Sequence, residues 1–408
     1  MDRRSFIHGS AAALAGSALP LFPMAAMAAD EIVVSSIIDM SGGLDIYGKP
    51  MTDCMTLAVE EQNEAGGLLG KKIKLVNYDP QSNMQLYAQF AQQSALKDKS
   101  TVVMGGITSA SREVIRPVLT RNKTLYFYNT QYEGGVCDRN TFCTGVTPGQ
   151  TIAKLIPYAM KKWGKKVYVV AADYNYGQIT SQWVKKFVQE NGGSVASIDF
   201  FPLDVTNFGS TISKIEAAKP DMIVSALVGG AHIAFYRQWA AAGLTKKIPL
   251  ASTTFAGGNE QIVLSPAEAD GFLVSYNYFQ NIDTPENNAF KARFYKRFGA
   301  DYPNITELAM GTYQGFKLWA EGVKKAGSID HEKMITALES GISIEGPSGK
   351  VSIDPETHHC VLNVRIAEVR NKQLNVVETF QQQQPVDTSA VCNLKKNPKD
   401  NQQYVIKA

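Results

Sequence analysis

Three short runs of hydroxyl and aromatic residues carry the side chains best suited to hold a small polar molecule: Thr108-Ser109-Ala110-Ser111, Tyr128-Asn129-Thr130-Gln131-Tyr132-Glu133, and Asp173-Tyr174-Asn175-Tyr176. Each follows an apolar run that reads as a strand, and ligands of open α/β sheets gather at the C-terminal ends of strands. The Ser and Thr hydroxyls both donate and accept hydrogen bonds, and each tyrosine adds a flat apolar face to a hydroxyl. Ser109, Ala110 and Ser111 also open a helix, whose first-turn N–H groups face an incoming carbonyl or carboxylate oxygen. The same hydroxyls serve equally as helix caps, and the two roles can coexist. Tyr47, after the first strand, and Gly229, in Leu227-Val228-Gly229-Gly230, complete the candidate ligand set.

Catalytic and cofactor patterns are not found. The chain has no G-x-x-x-x-G-K-[ST], H-E-x-x-H or G-x-S-x-G, and no G-x-G-x-x-G follows a strand. Ser109 has no evident base, so an amidase is a weaker reading than a binding site, and no cofactor is expected. The adjacent pair His358-His359 would point to opposite faces of a strand and share an ion poorly. No metal is expected there. Of five cysteines, Cys137 and Cys143 bracket the polar loop Asp138-Arg139-Asn140-Thr141 and are candidates for a small disulfide ring. Cys54 lies among Met51, Met55 and Ala58 on an apolar helix face and reads as a buried free thiol. Cys360 and Cys392 could join the C-terminal tail to the body, with the connectivity open.

The elements that position these runs alternate strand and helix. Strands are predicted at 31–40, 73–78, 101–105 and 125–128, with helices at 51–64, 85–97 and 111–120 between them. After Gly145-Val146-Thr147-Pro148-Gly149 the alternation restarts, with helices at 152–163, 181–191, 212–218 and 233–242 and strands at 166–171, 195–200, 222–228, 248–252 and 271–276. This is the mark of doubly wound parallel sheets, two of them. Residues 286–339 are mostly helical, 361–369 and 373–379 read as a hairpin, and Gln381–Gln384 marks the start of a loose tail.

The N-terminus gives a compartment. Arg3-Arg4, an apolar Ala/Gly-rich run from Gly9 to Met24, and Ala26-Met27-Ala28 make a signal peptide of twin-arginine type, cleaved after Ala28. The destination is the periplasm. The full chain carries a formal charge of +3 with no dominant basic block, so nucleic acid is not an expected partner. A chain of 408 residues exceeds what one core holds, and two lobes are the default.

Five blocks carry a family resemblance over essentially the whole mature chain: Ala58-Val59-Glu60-Glu61-Gln62-Asn63-Glu64-Ala65-Gly66-Gly67-Leu68-Leu69-Gly70-Lys71-Lys72, Thr108 to Arg112, Gln131-Tyr132-Glu133-Gly134, Asp173 to Tyr176, and Lys214 to Asp221. Together they resemble the type I periplasmic solute-binding proteins of ABC importers, in the branched-chain-amino-acid/amide group and nearest its urea and short-chain-amide receptors. The resemblance implies two α/β lobes joined by a three-segment hinge, with 30–147 and 278–350 in one lobe, 148–277 and 351–385 in the other, and a tail at 386–408. It also implies a cleft ligand and an inner-membrane permease as partner. A strand-end loop that often reads Leu-Asn-Gly-Asp in that branch is Leu227-Val228-Gly229-Gly230 here, which departs from the pattern where the ligand is chosen. Urea or a short amide, being neutral, suits Ser109, Tyr128, Thr130 and Tyr176. An amino acid would need Glu133 or Asp173 for its ammonium group. A cytoplasmic amide sensor of the same fold should lack a signal peptide.

Overall fold

The computed structural model describes residues 31–405. The signal peptide expected at 1–28 and the last three residues of the tail lie outside the described residues.

The chain begins with β1 (Ile32–Ile37), α1 (Asp45–Glu64), β2 (Ile73–Tyr78), α2 (Met84–Gln92), a π-helical turn at Gln93–Lys97, β3 (Val102–Gly105), α3 (Ser109–Arg121), β4 (Leu125–Tyr128), β5 (Val136–Asp138) and β6 (Thr141–Cys143). It crosses to α4 (Ile152–Trp163), β7 (Lys166–Ala172), α5 (Asn175–Glu190), β8 (Ser194–Phe201), α6 (Gly209–Ala218), β9 (Met222–Ala226), α7 (Gly230–Ala241), β10 (Leu250–Ser252), the short turns α8 (Glu260–Val263) and α9 (Pro266–Ala269), and β11 (Leu273–Tyr276). It returns as α10 (Pro285–Phe298), α11 (Glu307–Ala326) and α12 (His331–Leu338). It ends with β12 (Ser343–Gly346), β13 (Gly349–Ile353), β14 (Cys360–Arg370), β15 (Gln373–Gln383), α13 (Val386–Ser389) and β16 (Asn401–Gln403).

Two large sheets result. The first runs β2-β1-β3-β4-β6, parallel throughout. In the second, β8-β7-β9-β10-β11 are parallel, and β14, β13, β12 and β15 join antiparallel. Strands β3, β4, β9 and β11 are buried along their whole length, which is why they read as unbroken apolar runs: helices cover both faces. The inner face of α1 buries Met51, Cys54, Met55 and Ala58, and Cys54 is a buried free thiol. This is the two-lobed type I α/β architecture, and the chain passes between the sheets after β6, after β11 and between α12 and β12. The expected lobe boundary at 350/351 falls inside β13, which is hydrogen-bonded to β14.

Two expectations are corrected. The disulfide is Cys137–Cys392, with Cα atoms 5.4 Å apart, and Cys143 is a buried free thiol. Although six residues apart, Cys137 and Cys143 belong to different sheets: β5 pairs with β16, whereas Cys143 sits opposite Tyr128 at the end of the first large sheet. Nor is the tail loose. Asp387 is 4 % exposed and accepts from Thr147 Oγ1 at 2.8 Å and from the Gly149 N–H at 3.0 Å, so the tail is fastened to the first crossing between the sheets. Beyond it, Cys392 and β16 tie the chain back to β5.

Candidate functional site

The loops after β1, β3, β4, β7, β9 and β10 meet in one small cavity, with about 40 Å³ open to the centre of a water-sized sphere, room for roughly three waters. Seven of the expected residues come together in its wall: Tyr47, Ser109, Tyr128, Thr130, Gln131, Tyr174 and Tyr176. Five do not. Ala110 is half-buried behind Ser109, and Ser111 is spent on the helix start. Tyr132 turns away to the His359 ring, while Asp173 is exposed and accepts from Gln178 Nε2 at 2.9 Å. Gly229 stands behind Tyr47, its N–H donating to the phenol oxygen at 3.0 Å; its φ of +69° is one that glycine adopts without strain.

The start of α3 shows how the local sequence builds the wall. Thr108 Oγ1 accepts from the Ser111 N–H at 3.1 Å, and Ser111 Oγ accepts from the Thr108 N–H at 3.1 Å, a reciprocal capping box. The box fixes the direction from which the first-turn N–H group of Ser109, which has no intrahelical acceptor, meets the cavity. Thr108→Val is expected to lower stability by about 1 kcal/mol in urea unfolding; an unchanged midpoint would mean the box does not hold the helix start.

The wall's hydroxyls are already committed as donors. Tyr128 Oη donates to Ile107 O at 3.0 Å, Thr130 Oγ1 to Gly106 O at 3.1 Å, Tyr176 Oη to Thr253 Oγ1 at 2.9 Å, and Ser109 Oγ to Glu133 Oε2. Toward the cavity they therefore offer lone pairs. Tyr47, which accepts from Gly229, keeps its own proton. Burial raises the phenols of Tyr47, Tyr128, Tyr174 and Tyr176, so all four are neutral.

Among the described residues, no charged side chain lines the cavity. Glu133, two residues beyond Gln131, is 0 % exposed and paired at 3.0 Å with Arg112, itself 0 % exposed and stacked 4.9 and 4.5 Å from the rings of Tyr128 and Tyr132. The electrostatics come instead from helix ends: α3, α5 and α7 all begin beside the cavity, and helix N-termini favour electron-rich groups.

Sequence reasoning did not include Thr108, Val228 or Ile107 in the ligand set, though each stands within two residues of one it did include. It missed Thr254 and Leu308 altogether. Thr254 follows β10 and was open to the same strand-end rule. Leu308 arrives on α11 from a distant part of the chain, and nothing local marks it. His358 and His359 turn to different partners: His358 stacks on Phe142 at 4.2 Å, and His359 meets Tyr132, with burial lowering His359 to about 4.

A profile described as "Periplasmic binding protein domain" matches residues 32–396. The Leu/Ile/Val-binding protein homolog 6 of Brucella melitensis is 24 % identical over 389 residues, covering 91 % of this chain and 97 % of that one. A solute-binding protein of an R. palustris ABC transporter, solved with 4-hydroxybenzoate, has a TM-score of 0.77 at 26 % identity over 87 % of this chain and 98 % of its own. The amino acid ABC transporter substrate-binding protein of Pseudomonas fluorescens has a TM-score of 0.80 at 20 % identity, over 90 % of this chain and all of its own. The chain belongs to the periplasmic binding protein family, as a non-enzymatic solute receptor of the ABC-transporter class with the type I fold.

Proposed function

We propose that this receptor captures a small aromatic carboxylic acid of the hydroxybenzoate kind in the periplasm and delivers it to an inner-membrane permease. The observation that carries the reading is the cavity wall: four tyrosines with Ile107, Val228 and Leu308, no charged side chain, and the start of α3 opening onto it. A carboxylate is an acceptor. It fits the N–H group of Ser109 and the free proton of Tyr47 at the positive end of a helix. The tyrosine faces suit a flat ring, and a phenol O–H on the ring would find the lone pairs of Thr130, Tyr128 or Tyr176. The R. palustris protein solved with 4-hydroxybenzoate supports the same class.

Urea or a short amide is the second reading, favoured by the wall hydroxyls, whose exposed lone pairs suit N–H donors. An amino acid, suggested by the Leu/Ile/Val-binding relatives, would bring an ammonium group to a wall without an acid, since Glu133 is held by Arg112 and Asp173 is outside.

The test is calorimetric titration with 4-hydroxybenzoate, benzoate, acetamide, urea and leucine. The aromatic acids are expected to bind, and Tyr47→Phe to weaken them about fivefold to a hundredfold, the effect of one lost hydrogen bond in a dry site. Binding of acetamide or urea alone would establish the second reading; binding of leucine alone would overturn both.

A further inference from the structure

A second cavity lies where the chain returns from the second sheet, with room for about one water-sized body. The polar part of its wall draws on three segments that meet at this crossing: Asn259 and Gln261 after β10, Tyr276 and Gln280 around the end of β11, and Asn304 and Glu307 leading into α11. Glu307 is 3 % exposed and neither of its carboxyl oxygens has a hydrogen-bond partner. Gln261 is 1 % exposed, and its Oε1 also has none.

The surrounding amides are occupied. Asn259 Nδ2 donates to Asn304 O at 2.8 Å, and Gln280 Oε1 accepts from Tyr295 Oη at 2.8 Å and from the Ile305 N–H at 3.0 Å. The unsatisfied side-chain atoms of the wall are therefore all acceptors, three oxygens without a donor, and no Lys, Arg or His stands in the wall. Burial alone pushes the Glu307 carboxyl up to about 8, whereas its place in the first turn of α11 favours the carboxylate. A positive charge brought from outside would satisfy both, and would give the three acceptors a partner.

We propose that this cavity binds one hard monovalent cation, sodium or potassium, on the Glu307 carboxylate and Gln261 Oε1. Oxygen donors select hard ions. A single carboxylate neutralises a single charge, whereas a divalent ion would leave excess charge in a buried site. Because the wall joins residues from both sides of the crossing, the ion would stiffen the passage between the sheets. The inference does not depend on which solute fills the first cavity.

The experiment is thermal unfolding at constant ionic strength, with choline chloride replaced stepwise by NaCl, KCl or CaCl2. Sodium or potassium is expected to raise Tm by about 3 °C at saturation, and Glu307→Gln, nearly the same shape, to abolish the rise. Gln261→Met supplies a second variant if Glu307→Gln does not fold. No rise in the native protein, a rise with calcium alone, or an equal rise in the variant would overturn the proposal, leaving a buried neutral acid beside water.

Discussion

Glu133→Leu is expected to lower the unfolding free energy by about 3–5 kcal/mol, the usual cost of stranding one member of a buried ion pair. The substitution leaves the Arg112 guanidinium, 0 % exposed, with only Glu113 Oε1 at 2.9 Å and Gln403 Oε1 at 2.7 Å as polar partners. It also removes the acceptor of Ser109 Oγ, so the residue at the mouth of α3 loses its anchor. Replacing both charges, Glu133→Leu with Arg112→Met, should recover much of the loss, because the uncompensated charge goes with the arginine. Urea unfolding of the two single variants and the double variant gives the coupling directly. A single-variant loss under 1 kcal/mol, or a double variant as unstable as the sum of the singles, would show that the pair is not what fixes this corner of the site.

The second large effect is at the disulfide. Cys392→Ser opens a bridge across 255 residues of sequence, and the expected loss is about 2–4 kcal/mol. The loosened segment carries β16, whose pairing with β5 depends on the same bridge for proximity. Protease cleavage between 386 and 405 should therefore accelerate in the variant. The native protein, denatured without reductant, should show three titratable thiols, those of Cys54, Cys143 and Cys360. Five thiols, or an unchanged unfolding midpoint in Cys392→Ser, would reject the bridge.

How far the residues themselves disclose this molecule depends on whether the signal is local. Strands β2 and β4 and helix α4 fall where apolar patterning places them, because each is long enough, or buried enough, to repeat its pattern. Helices α1, α3, α5 and α7 begin earlier than periodicity indicates, α5 at Asn175 against an expected 181. The reason is physical: the first turns of α3 and α5 face the cavity rather than the core, and polar or aromatic residues that meet a ligand break the apolar stripe that marks a buried helix. The mismatch is thus itself a trace of the site. Strands β5, β6 and β16 have three residues each, too few to show a period of two. The Cys137 bridge was misread because neighbours in sequence were taken for neighbours in space, and the glutamine-rich run at 381–384 because backbone pairing needs no apolar side chain: Gln383 pairs with Leu362 at the end of β15 while its side chain stays partly exposed. Gln150 Nε2 reaches the carbonyls of Cys360 and Gln383 at 2.9 and 3.0 Å. Leu308 lay beyond any local rule.

The pairing of β16 with β5 has a consequence for the order of events in synthesis. Residues 136–138 emerge from the ribosome more than two hundred residues before the strand that covers them, and Glu133 and Arg112 wait as long for Gln403. The two α/β sheets can condense as their strands appear, but the edge beneath Ser109 stays unsealed until translation has passed residue 403. Sealing of the edge beneath Ser109 is therefore a late step, and a chain stopped a few residues short would hold both sheets while lacking that seal.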